Sequence, residues 1–120
     1  MKTATRVELQ RALKQEQLEP LYLLVGCEGF LRDESVSEIS DAALRETLIR
    51  EFNETTFSLQ SGGAQNAIAA AEQLPMMSTR RVVQIKDFAK VREADEAVLI
   101  RYLKNPAPSS VVIFNAEDLD

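Results

Sequence analysis

Residues Tyr22–Ser35 read YLLVGCEGFLRDES. The apolar run that contains them, Pro20–Gly26, is short, continuous and closed by glycine, which is the pattern of a strand buried on both faces. Immediately after it, Phe30 to about Leu44 carries Val36, Ile39 and Ala43 at helical spacing. Strand, glycine turn and helix together form the first half of a βαβ unit, and such a turn is where many α/β proteins cradle phosphate.

The side chains of this turn are wrong for that chemistry. A phosphate-binding loop needs GxxxxGK followed by Ser or Thr, so that backbone N–H groups face the phosphates, lysine neutralises them and the hydroxyl holds magnesium. Counted from Gly26, the second glycine position is Leu31, the lysine position is Arg32 and the hydroxyl position is Asp33. Leu31 has a Cβ that resists the positive φ glycine supplies. Glu28, Asp33 and Glu34 would set three carboxylates beside a triphosphate. Each like-charge contact at about 4 Å costs about 4 kcal/mol at an effective dielectric near 20. The third apolar run ends VVQIKD, with Asp87 followed by Phe88 rather than a second acid, and no GxGxxG is present. Neither a bound nucleotide nor any other cofactor is expected.

Other chemistries fall away on composition. The 120 residues contain no histidine, which removes histidine-based triads, histidine zinc sites and the usual neutral-pH base. Cys27 follows the glycine at the carboxyl end of the first strand, where active sites of open α/β sheets lie, but without a base it reads as packing. A single cysteine forms no internal disulfide, which fits a reducing cytoplasm. No apolar run approaches the length of a membrane span, and the amino terminus lacks the apolar core and cleavage site of a signal peptide. The net charge of −5 argues against non-specific nucleic-acid binding by the whole surface. From Met77 to Lys104, however, seven basic residues face four acidic ones, as a solvated helix-and-strand face or a basic strip.

Along the chain, an opening helix is expected over about Thr5–Gln15, with Leu9, Ala12 and Leu13 on one side. REFNETTFSL reads as a second strand with weaker alternation, nearer a sheet edge. Ser61 in SGG is a possible cap for the next helix, in which Ala64, Ala67, Ile68, Ala71 and Leu74 share a face until Pro75 stops it. RRVVQIKD is a third strand. Ala94, Val98, Leu99, Tyr102 and Leu103 mark a further helix ended by NPAPSS, and VVIFNAE is the fourth strand. Strands alternating with helices require right-handed crossovers, hence a parallel sheet with helices on both faces: an α/β three-layer sandwich. Residues 1–120 form one domain whose fourth strand has no covering helix after it, as in a piece of a longer protein.

Pro75 leaves Met76 and Met77 on the connection into the third strand, where loops run over the surface. Two large apolar residues there need a core to cap or a partner. Methionine adapts to irregular pockets, and burying each contributes roughly 1.5–3 kcal/mol.

Four segments in order, YLLVGCEGFLRDE, EFNETTF, LPMMSTRRVVQIKD and YLKNPAPSSVVIFNAEDLD, make the chain resemble the delta subunit of the bacterial DNA polymerase III clamp loader, in its amino-terminal domain. The resemblance covers about Pro20–Asp120. It implies a P-loop NTPase-like (AAA+-like) parallel sheet with degenerate nucleotide motifs, strand order 2-3-4-1 and a fifth strand outside this sequence. It also implies a non-catalytic role within a DNA polymerase holoenzyme, that of gripping and helping to open the sliding clamp during replication. The positions that match the family's grip are Met76 and Met77, preceded by Leu74 and Pro75, with Arg80 placed to steer approach to an acidic clamp rim. Family members commonly carry Leu or Phe at the pair. Implied partners are the sliding clamp, other loader subunits through domains not in this sequence, and DNA only through the assembled complex, with no membrane contact. An active P-loop NTPase fragment is disfavoured by Leu31, Arg32 and Asp33. A receiver-like regulatory domain is disfavoured because its first strand should end in carboxylates and this one ends in Val25–Gly26.

Overall fold

The computed structural model describes residues 5–26, 28–45, 47, 49–59, 63–86 and 93–116. The elements run α1 (Arg6–Lys14), β1 (Leu21–Val25), α2 (Gly29–Ala43), a 3₁₀ turn (Arg50–Phe52), β2 (Glu54–Ser58), α3 (Ala64–Glu72), β3 (Arg81–Lys86), α4 (Glu93–Lys104) and β4 (Ser110–Ala116). All strand pairs are parallel, in the order β1-β4-β3-β2, which is the expected 2-3-4-1 read from the other edge.

The register explains the two cores. Val82 lies beside Val111, and Val83 beside Val112, so alternate side chains of β3 and β4 leave the sheet on opposite faces. Val82, Val111 and Ile113 pack with Leu13, Val36, Ile39, Ala43 and Leu44 from the α1–α2 side. Val83, Ile85, Val112 and Phe114 pack with Ala67, Ile68, Ala71, Leu99 and Tyr102 from the α3–α4 side. Three layers result, as the alternation of elements implies.

Local chemistry sets the helix ends. Thr5 caps α1 by accepting the Glu8 N–H at 3.2 Å, while Glu8 reaches back to the Thr5 N–H at 3.4 Å. Arg6 joins α1 to α2 through Glu34 at 2.8 Å and through Glu38. The Tyr102 hydroxyl accepts the Ala107 N–H at 3.2 Å and so anchors the proline-rich turn between α4 and β4.

Three expectations change. The strand β1 is half-buried rather than covered on both faces, because it pairs only with β4 and forms an edge, as β2 does on the far side. An apolar run identifies a parallel strand without saying where it falls in the sheet order. Helix α3 ends at Glu72, so Leu74 is not on its core-facing stripe but is exposed beyond it. In α4, only Leu99 and Tyr102 are buried, with Val98 half-buried; Leu103 and Ala94 face solvent. Gly63 is the N-cap of α3, and the suggested cap Ser61 lies outside the described residues, as do Cys27 and Asp87. Among the described residues, no helix is long and apolar enough to cross a membrane.

Ile113 is fully buried at the centre of the sheet, whereas Ile100 is exposed on α4. Ile113→Ala is expected to remove about 2–5 kcal/mol of stability, and Ile100→Ala to change it by less than about 0.5 kcal/mol. Urea unfolding checks both through the midpoint at unchanged slope.

Candidate functional site

Two loops at opposite ends of the sheet carry the features singled out in the sequence. At the carboxyl end, Gly26 follows β1 with φ +155, and Arg32 rises from the first turn of α2. The Arg32 guanidinium donates to the Gly26 carbonyl and, through Nε, to the Asn115 side-chain oxygen at 2.7 Å. Asn115 in turn donates to Gln84 at 3.0 Å. A chain of polar contacts therefore crosses β1, β4 and β3 where a phosphate would sit. The residue at the lysine position is spent on a carbonyl of its own loop, whereas a phosphate site needs N–H groups converging on open space. Glu34, counted above among carboxylates beside a phosphate, is instead engaged with Arg6. Among the described residues, no cluster of three or more His, Cys, Asp or Glu could hold a metal.

The second loop, residues 73–80, leads from α3 into the amino end of β3. Gln73 is the C-cap of α3 with extended backbone, φ −76 and ψ 148, which turns the chain out of the helix just before Pro75. Leu74, Met76 and Met77 are 83%, 53% and 71% exposed. They do not fold back over the sheet. Met77 has φ +52, the left-handed region that non-glycine residues rarely occupy.

Two buried polar side chains hold this loop from beneath. Asn53, 0% exposed, accepts the Met76 N–H on its Oδ1 at 2.7 Å and donates from Nδ2 to the Met76 carbonyl at 2.7 Å. Its Nδ2 also reaches the Ile49 carbonyl at 3.0 Å. The buried Arg81 donates to the Gln73 side chain at 3.2 Å, the Leu74 carbonyl at 3.3 Å and the Phe52 carbonyl at 2.8 Å. Farther along, Ser78 Oγ lies 2.6 Å from Thr47 Oγ1 and donates to the Arg80 carbonyl at 2.8 Å.

The sequence-derived residues Leu74, Met76 and Met77 thus come together on one exposed loop. Arg80 is half-buried and lines a shallow hollow with Leu13, Glu16, Leu18 and Arg45 from the α1 and α2 side. Sequence reasoning missed Phe52, which is 55% exposed and is tied to Leu74 because one guanidinium serves both carbonyls. It also missed Asn53, and it counted Arg81 as surface charge. An aromatic residue next to an asparagine just before a strand is the sole sequence signal for the first two. Arg50 supports the same turn, donating to Asp41 at 2.7 Å and to Glu54 at 3.0 Å. The Glu54 bond first, then the Asp41 bond, pushes its pKa above the ordinary arginine range.

Over residues 22–120 the chain matches the family described as DNA polymerase III, delta subunit. It is 32% identical over 123 residues to the DNA polymerase III subunit delta of Bacillus subtilis (strain 168), covering 94% of this chain and 35% of that protein. Its structure is similar to that of the Bacillus subtilis DNA clamp loader delta protein, with a TM-score of 0.83 at 31% identity, over 95% of this chain and 36% of that one. A gamma subunit-related protein of DNA polymerase III from Thermotoga maritima has a TM-score of 0.64 at 13% identity, over 92% of this chain and 38% of the other, a likeness of fold alone. The AAA+-like reading of the sheet is thereby borne out. The chain spans about a third of the length of the Bacillus relative.

The contacts of Arg32 generate a paired expectation. Magnesium-ATP at millimolar concentration should give no saturable rise in melting temperature, although a ligand at about one hundred times its Kd would add about 2.7 kcal/mol. Arg32→Ala should lower stability by about 1–3 kcal/mol, because the Asn115 and Gly26 oxygens lose a charge-assisted partner, and should not create ATP binding. A saturable shift in either protein contradicts the assignment.

Proposed function

Because this chain belongs to the DNA polymerase III delta subunit family, we propose that it is the amino-terminal domain of a clamp-loader subunit whose Leu74, Met76 and Met77 wedge into an apolar pocket of the sliding clamp and help to open it. The role is non-catalytic and cytoplasmic. Other loader subunits are met through domains beyond this sequence, and DNA only through the assembled complex.

The observation that carries this reading is the exposure of three large apolar side chains on a loop whose backbone is hydrogen-bonded from below. Exposed apolar groups cost solvation without strengthening the core, and contiguous ones mark interaction sites. A partner's desolvated pocket supplies the missing burial, and anchors of this kind often carry more than about 2 kcal/mol each. Methionine suits the task, since its unbranched, polarizable side chain fits irregular surfaces. An NTPase role has less support, since Arg32, at the lysine position, is engaged with the Gly26 carbonyl and the Asn115 side chain. Arg80, at the end of this loop, steers association with an acidic rim and so contributes to the on-rate more than to residence time.

Replacing Met76 and Met77 together with Ser is expected to raise the Kd for the clamp at least about thirtyfold, equivalent to about 2 kcal/mol, with little change in melting temperature. Met77→Gly should separate the two effects further. Glycine relieves the left-handed strain, so stability stays constant or rises by up to about 1 kcal/mol while clamp binding weakens. Clamp titration and thermal melting of the same variants provide the check. Unchanged affinity in a folded double variant rules out the wedge.

A further inference from the structure

Asn53 lies beneath the wedge and touches no solvent, yet it spends its whole side chain on a neighbouring loop. Both hydrogen-bonding groups of the Met76 backbone are taken by this one carboxamide, at 2.7 Å each, much as a paired strand would take them. The Met76 N–H can only donate, so Oδ1 must face it, and both Nδ2 protons are then committed to the Met76 and Ile49 carbonyls. Asn53 is itself fixed at both ends of its own backbone. Its N–H donates to the Arg50 carbonyl at 2.9 Å, and its carbonyl accepts the Val82 N–H at 2.7 Å. The loop is thus fastened to the β2–β3 pair through a side chain that cannot rotate without leaving buried groups unpaired.

We propose that Asn53 is the positioning residue of the apolar loop, holding Met76 and Met77 in their binding shape before any partner arrives. This rests on the wedge reading above. Left to themselves, Leu74, Met76 and Met77 would be driven by water onto each other or onto the sheet edge, and the left-handed Met77 would relax. With the Met76 peptide held on both sides, and Arg81 holding the Leu74 carbonyl, neither rearrangement is open to the loop. A loop that is already ordered loses little conformational freedom on docking. Its binding-competent fraction stays near unity, so the observed affinity is not reduced by that fraction. Asn53 never contacts the partner in this scheme. It acts through Met76, and its loss shows in the rate of association rather than in the lifetime of the complex.

The test uses the full-length protein and the sliding clamp of the same organism. In the wild type, native-state hydrogen exchange should find the Met76 amide slowed by about a hundredfold or more relative to a free peptide, despite the exposed side chain. Exchange at the free-peptide rate overturns the proposal without the need for any variant. Asn53→Ala, studied at a temperature where circular dichroism shows it folded, should associate about tenfold more slowly, with a dissociation rate within about twofold of wild type. Met76→Ser/Met77→Ser should behave oppositely, keeping its association rate and dissociating faster. Wild-type association by folded Asn53→Ala, when the double serine variant has lost binding, overturns the positioning role alone. Wild-type affinity in the double serine variant overturns the wedge reading and the positioning role with it.

Discussion

Parallel pairing of β3 with β4 is the constraint from which the rest of the structure follows. Each of these strands has a neighbour on both sides and a helical layer on both faces, so their backbone groups have only each other and the flanking strands to bond. The register that pairs Arg81 with Ser110 sets where the sheet begins. It also buries Arg81 at the first position of β3. None of the ion pairs among the described residues involves that guanidinium. A buried cation must be solvated by something, and here the Phe52 and Leu74 carbonyls and the Gln73 side chain do so. The shape of the neighbouring loop is therefore a consequence of where the central strands meet.

The two ends of the sheet differ in how their polar groups are spent. In open parallel sheets the loops at the carboxyl ends of the strands ordinarily bind ligands. Among the described residues of that end, Arg32, Asn115 and Gln84 hydrogen-bond in a chain across β1, β4 and β3. Large apolar side chains are exposed at both ends: Val25, Phe30 and Leu31 at the carboxyl end, and Phe52, Leu74, Met76 and Met77 at the amino end, on the 3₁₀ turn before β2 and the loop entering β3. What sets the amino end apart is that its apolar loop is hydrogen-bonded from beneath by Asn53 and Arg81.

Exposing Leu74, Met76 and Met77 on a loop is costly in two ways, through unfavourable hydration and through the left-handed backbone at Met77. The loop backbone is held in this shape by side chains beneath it. Asn53 uses every hydrogen-bonding group of its side chain, and Ser78 is bonded on both sides, to Thr47 and to Arg80. The division of labour is clear: buried amides and guanidinium define the shape, and the exposed apolar groups remain free for contact.

Much of this was legible from the chain alone, since it depends on local pattern. Apolar runs marked the strands, the first of them closed by Gly26, helical spacing at Ala64, Ala67, Ile68 and Ala71 marked α3, and Leu31, Arg32 and Asp33 departed from the phosphate-loop pattern. Pro75 was enough to put Met76 and Met77 on a connection. The tertiary structure decided what depends on distance in space. It made β1 an edge, released Leu74 from the stripe its spacing suggested, and turned Arg81 from surface charge into a buried support. It also brought Asn53 under Met76, 23 positions away in sequence. No periodicity encodes that meeting, because hydrogen bonds between a buried side chain and a distant backbone arise only once the sheet register has brought the two segments together.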